Sequence, residues 1–243
     1  IFDDTTLFEV DKFSGYDRIE TGTRANVGLQ YTFQANNGGY ARLVAGQSFH
    51  LAGENPFETP GTSFDGRENY SSNSGLESTR SDYVVGAYLS PSSLFRIVSQ
   101  ARFDEETLSL RRTDVGAQID LGPFVAQGSY TFSTVDPQLL DDDQQDVTFG
   151  VGLKLTDRWS IYGNMRYDID AKYRISDSIQ IAYSDECFIL TATYLETFIR
   201  DADRDIVPDR SVMLNFQFKH LGGYQTKTDA LDFVFGDQQR SSN

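Results

Sequence analysis

From residue 24 onward, apolar and polar side chains alternate with period two in runs of about nine to eleven residues, cut by Gly, Pro, Asn, Asp and Ser. Helical periodicity is hard to find, so the chain has to fold as antiparallel strands. The first run, 24–34, puts Ala25, Val27, Leu29, Tyr31 and Phe33 on one face and Arg24, Asn26, Gly28, Gln30, Thr32 and Gln34 on the other. An Asn36-Asn37-Gly38-Gly39 turn, suited to positive φ, leads into 40–49. Further runs follow at 81–89, 95–103, 107–119, 124–132, 147–153, 159–167, 173–183, 188–198 and 211–219, which makes about eleven strands. In 107–119 the apolar parity shifts from Leu108 and Leu110 to Val115, Ala117 and Ile119 across Arg111 and Arg112, which predicts a bulge.

Strands of this kind build either a soluble sandwich or barrel, or a transmembrane barrel whose apolar face meets lipid. Connection lengths favour the second. Short turns are expected at Asn36 to Gly39, Ser90 to Ser93, Leu121 to Pro123, Thr156 to Arg158 and Ser184 to Cys187, with longer loops at the other end. Outer-membrane barrels have short periplasmic turns and long extracellular loops. Composition agrees: aromatics make up 13% of the chain although its mean hydropathy is only -0.43, the balance expected when rings alternate with polar residues. Phe33, Phe49, Phe103, Trp159, Tyr167, Tyr173 and Phe198 sit near strand ends as an interfacial girdle would. On the polar parity, Arg24, Arg42, Arg96, Arg102, Lys154 and Arg166 suit a hydrated lumen.

The pattern predicts an all-β, antiparallel transmembrane barrel in the outer membrane, its apolar face against the lipid bilayer. An odd number of strands suggests the C-terminal part of a larger barrel, because single-chain bacterial barrels close with even counts. A start on Ile1 likewise suggests a longer protein with any signal peptide upstream. The expected organisation is an extracellular loop segment over 1–22, barrel strands over 23–221 and a C-terminal tail over 222–243.

Chemistry is harder to place. A net charge of -15 argues against a nucleic-acid partner, which needs clustered Lys and Arg. Of the two histidines, His50 flanks a loop and His220 follows the last strand, so a hydrolytic site would rest on one isolated imidazole. Asp141 to Asp143 and the acids of 201–205 lack the Gly and bidentate Glu of a defined calcium loop and read as solvated extracellular acid. No Gly-rich phosphate loop opens a helix. Neither a catalytic residue, a metal site nor a cofactor is expected. A passive porin and, more remotely, an outer-membrane hydrolase are the alternatives to a transport role.

Two stretches carry a resemblance. Leu7-Phe8-Glu9, followed by Phe13-Ser14-Gly15-Tyr16-Asp17-Arg18-Ile19 and Gly22-Thr23-Arg24-Ala25-Asn26, resembles the C-terminal barrel of the LptD family of lipopolysaccharide-assembly proteins. Ala182-Tyr183-Ser184-Asp185-Glu186-Cys187-Phe188 resembles that family's cysteine-bearing turn late in the barrel. The resemblance runs from about Leu7 to Leu221. It implies lipopolysaccharide transport to the outer leaflet, with delivery through a periplasmic Lpt bridge into an N-terminal jellyroll that this sequence lacks. It implies a plug lipoprotein of the LptE kind in the lumen. It further implies that the last strand, with Val212, Leu214, Phe216 and Phe218, forms half of a lateral seam, and that Cys187 bonds to a cysteine of the periplasmic domain. Glu186 stands where many relatives carry a second cysteine, which limits this turn to one such bond. Phe13, Gly15, Asp17 and Arg18 would mark an ordered extracellular loop.

Overall fold

The computed structural model describes residues 2–12, 20–58, 73–134, 143–199 and 207–219. Eleven strands follow one another: β1 (Thr23–Gln34), β2 (Tyr40–Ala52), β3 (Tyr83–Ser92), β4 (Phe95–Phe103), β5 (Leu110–Asp120), β6 (Phe124–Ser133), β7 (Gln144–Lys154), β8 (Trp159–Asp168), β9 (Tyr173–Ser184), β10 (Phe188–Ile199) and β11 (Val207–Phe218). They form one antiparallel sheet in sequence order, each strand beside its chain neighbours, as hairpin connections dictate. Among the described residues β1 pairs only with β2, and β11 only with β10.

Register locks the period-two pattern into two unlike faces. The row Leu29, Ala45, Val85 and Ala101 continues through Thr113 and Phe132 on one side. On the other side Gly86 stands opposite Gln100, Gln100 opposite Asp114, Asp114 opposite Thr131 and Thr131 opposite Asp146. Among the described residues nothing covers the apolar face: Leu29 is 82% exposed and Leu214 is 76% exposed. Large aliphatic side chains left bare along a whole sheet face imply a non-aqueous surrounding.

Local departures have local causes. Arg111 is the extra residue where β4 and β5 shift register, with Arg102 opposite Arg112 and Phe103 opposite Leu110, so the expected bulge falls at the parity change. The β3–β4 connection lies later than the sequence suggests. Ser92 pairs with Phe95, and the pairing is irregular between Leu89 and Ser92. Pro91 has no N–H to give the ladder, so it sits in that irregular stretch and the turn passes to Ser93 and Leu94. In the first hairpin Gly38 takes φ +86°, and the turn closes with Gly38 N donating to Ala35 O at 3.0 Å and Ala35 N to Gly39 O at 2.7 Å.

Among the described residues the one buried apolar cluster does not lie between sheets. Phe2, Leu7, Phe57, Leu76 and Val84 pack together, joining the leading segment, the β2–β3 loop and the polar face of β3. Residues 2–12 and the described residues of the β2–β3 connection thus lie against the polar face of the sheet.

Candidate functional site

The polar face of β4–β8 walls a cavity of about 640 Å³. Its lining pairs opposite charges: Arg112 Nε with Asp114 Oδ2 at 2.7 Å along β5, and Arg166 of β8 with Asp146 of β7 at 2.6 Å across strands. Thr131 adds a hydroxyl donated to Asp114 at 2.8 Å, and Gln127, Ser129, Thr148 and Asn164 contribute further polar groups to the wall. Such a surface offers hydrogen bonds in both senses and little net charge, which suits hydrated or saccharide cargo.

The long-loop end is covered. Arg102, expected on a hydrated wall, is instead buried at 4% exposure beneath residues 73–82. Its guanidinium donates to the carbonyls of Ser74 and Asn73, and its Nε lies 3.3 Å from Asp82 Oδ2 without a well-aligned hydrogen bond. Asn73 Nδ2 in turn donates to Thr134 O at 3.1 Å, reaching the end of β6. Arg24, likewise expected in water, donates to Asn55 and stands 5.0 Å over the Phe57 ring. Burial pushes the Asp82 carboxyl up to about 6, against the pull of Arg102.

Two outcomes follow for this fastening. Removing Arg102 with Arg102→Leu strands a buried carboxylate and is expected to cost about 3–5 kcal/mol, read as lost hydrogen-exchange protection at Ser81 and Asp82. The pH dependence has the opposite sign to that of an ordinary ion pair. Because the folded Asp82 carboxyl holds its proton to higher pH than an unfolded one near 3.8, protection should rise as pH falls through about 6 and level off below that lower value.

At the short-turn end, Cys187 is exposed and unbonded. Asp185 Oδ1 accepts from the N–H groups of Cys187 at 2.8 Å and Phe188 at 2.9 Å, and those backbone donors hold its carboxyl below the usual range. Lys219 Nζ donates to Ser184 Oγ at 2.9 Å and its N–H to Cys187 O at 2.9 Å, tying the end of β11 to this turn. Rings run beside it in an unbroken chain, Trp159, Tyr183, Phe188, Phe216 and Phe218, with centroids 4.6 to 5.5 Å apart. An aromatic row at strand ends is what a membrane–water boundary selects.

Val212, Leu214, Phe216 and Phe218 share the apolar face of β11, opposite Tyr194, Ala192, Leu190 and Phe188. Phe13, Gly15, Asp17, Arg18 and His220 lie outside the described residues, as do Asp141, Asp142 and the acids of 201–205. His50 Nε2 is 3.1 Å from Gly53 O, an ordinary loop contact. What the sequence reading missed is Asp4. Buried at 2% exposure, it accepts from Tyr88 Oη at 2.8 Å and Gln100 Nε2 at 2.7 Å, on strands 84 and 96 residues away.

One antiparallel sheet with a bare apolar face, a polar face around a cavity, aromatic strand ends, short turns on one side and long loops on the other defines an outer-membrane β-barrel. A family model described as LptD, LPS transport system D, matches residues 1–159. The chain belongs to the LptD family. It is similar to the LPS-assembly protein LptD of Saccharophagus degradans, 25% identical over 260 residues that take in 98% of this chain and 28% of that relative. The chain thus spans little more than a quarter of the relative's length. Among solved structures it superposes on a triple mutant of the Rhodopseudomonas blastica porin with a TM-score of 0.46 at 11% identity, covering 82% of this chain and 81% of the porin. A second mutant of that porin gives 0.44 at 10%, covering 81% and 80%.

Proposed function

We propose that the chain is barrel wall in the apparatus that carries lipopolysaccharide to the outer leaflet, acting by passage and not by catalysis. Membership of the LptD family is the observation that carries this reading. The two faces of the sheet supply the physics. Lipopolysaccharide joins an acyl part that must stay out of water to a sugar part that must stay in it. A wall with bare aliphatic side chains outside and paired charges, hydroxyls and amides inside meets both needs across a single strand thickness.

In this proposal 23–221 is barrel, 1–22 an extracellular segment and 222–243 a tail. The apolar row of β11, Val212, Leu214, Phe216 and Phe218, is half of the seam through which lipid leaves sideways. The polar face receives the sugar and a plug lipoprotein of the LptE kind. A periplasmic bridge feeds the barrel through an N-terminal domain, to which Cys187 is disulfide-bonded. Exposure of the thiol at the short-turn end supports that last step, since short turns face the periplasm, where disulfides persist. Phe13, Gly15, Asp17 and Arg18 order the loop that enters β1.

Depleting the protein tests the reading: lipopolysaccharide reachable by an impermeant label should fall several-fold while total lipopolysaccharide persists, and an unchanged surface pool would end it. For the disulfide, the full-length protein should migrate differently with and without reductant, and Cys187→Ser should abolish the difference if this turn makes the only such bond. A mobility insensitive to Cys187→Ser would remove that part.

A further inference from the structure

The outward faces of the strands are not alike. Along β1–β4 and β6–β8 the outward parity carries no charged side chain, and β5 departs from this only at its bulge, where Arg111 stands. On β9–β11 the pattern breaks. Asp177, Glu196 and Arg210 share the parity of Ile179, Tyr194 and Val212 and stand opposite one another in a single row. Arg174 lies opposite Tyr167 on the same side, its guanidinium 4.8 Å from the centre of the Phe198 ring.

The height of this row decides its surroundings. Phe218, in the aromatic row at the short-turn end, and Arg210 are eight residues apart on β11, about 27 Å along a strand. With the strands tilted, that is about 20 Å of rise against an apolar band about 25 Å tall. The charges therefore fall near the far edge of the band, at the level of the outer-leaflet headgroups, beside Tyr167, Tyr173 and Phe198. A charge at that level is unfavourable against hydrocarbon and favourable against a headgroup of opposite sign.

The cations are outermost. Arg174 Nη1 donates to Asp177 Oδ2 at 2.6 Å, and Arg210 Nε donates to Glu196 Oε1 at 2.8 Å. The two arginine side chains are 54% and 63% exposed, their carboxylate partners only 24% and 17%, so a ligand arriving from the membrane meets guanidinium first. Among the described residues neither guanidinium makes another hydrogen bond to protein, which leaves each with most of its N–H donors for a ligand. A planar guanidinium fork matches phosphate oxygens. Strands β9 and β11 are two strand spacings apart, about 10 Å, so the two forks flank one headgroup.

We propose that Arg174 and Arg210 form an outward-facing phosphate site at the outer-leaflet edge of β9–β11. It holds the phosphorylated headgroup of lipopolysaccharide while the acyl chains lie along Tyr194, Val212 and Leu214, which continue from Arg210 down the same face. The choice of lipid rests on the transport reading above. The site itself rests on charge, height and parity.

Purified full-length protein in nanodiscs of neutral phospholipid, titrated with fluorescently labelled lipopolysaccharide, tests it. Arg174→Gln combined with Arg210→Gln should weaken binding several-fold. Removing the phosphate groups from the lipopolysaccharide should weaken binding to the parent by a similar factor, and the double variant should no longer distinguish the two lipids. Arg158→Gln, which removes an exposed cation at the short-turn end, should bind as the parent does. The phosphate comparison needs no variant and decides the matter should the double variant fail to assemble. Parent-like binding by the double variant, an equal fall in Arg158→Gln, or equal binding of the two lipids by the parent overturns the site. Those outcomes would leave transport standing, whereas an unchanged surface pool on depletion would end the transport reading itself.

Discussion

Val151→Arg is expected to cost the barrel about 2–4 kcal/mol, the penalty for a cation on the lipid face near the bilayer midplane. Val151 lies within β7, flanked by Ala126 of β6 and Gly163 of β8, on the face that also carries Phe149 and Leu153. A guanidinium there has no polar partner from either neighbour and must either stay in hydrocarbon or drag its strand toward the interface. Ser129→Arg is the matched change on the other face. Its side chain enters the cavity wall between Gly116 and Thr148, one residue pair along from the row of Asp114, Thr131 and Asp146, where a long cation comes within reach of both carboxylates, and stability should stay within about 0.5 kcal/mol of the parent. Leu153→Arg, close to the short-turn end of β7, should fall between them at about 0–1 kcal/mol, because the penalty fades toward the interface. Urea unfolding from liposomes, followed by the mobility shift of the folded barrel, gives all three values. Equal losses for Val151→Arg and Ser129→Arg would mean that the two faces have been assigned wrongly.

What was legible in the sequence was whatever a single strand shows about itself. Alternation gave the eleven strands and their faces, and the parity change at Arg111 and Arg112 marked the bulge. Pro91 was visible too, but its effect was not: the missing N–H moved the turn two residues on, which only the pairing of Ser92 with Phe95 displays. Relations between strands were invisible. Gly28, Gly46 and Gly86 read as scattered small residues until the register set them side by side, and nothing local ties Asp4 to Gln100 across 96 positions. Arg24 and Arg102 were read as water-facing on parity alone. Parity is right about the face, but it says nothing of the loop residues that lie over it, where Phe57 and Leu76 bring apolar surface that leaves Arg102 buried and Arg24 half-buried. The family resemblance was carried by short stretches, of which Cys187 sits in a well-formed turn and Phe13 to Ile19 lie outside the described residues.

The proposed route of lipid past β11 makes the other large prediction, and it compares two positions that differ in one respect. Leu214, Ala192 and Ile181 form one row across β11, β10 and β9, at the same depth and on the same apolar face. Both Leu214 and Ile181 are exposed on that face, but Ile181 has paired strands on either side, whereas among the described residues Leu214 has a partner on one side only. Lipid that merely bathes the barrel touches both. Lipid that leaves through a seam at β11 meets Leu214 each time a molecule passes, with its acyl chains held against Val212, Leu214 and Phe216 as the edge parts. The direct measurement is to place a photo-crosslinking residue at Leu214 or at Ile181 of the full-length protein in growing cells, irradiate, and compare the lipopolysaccharide bound to each. Capture several-fold greater at Leu214 than at Ile181, lost when new lipopolysaccharide synthesis is stopped, is the result this account predicts; equal capture at the two positions, or capture at Leu214 that persists without synthesis, would contradict it.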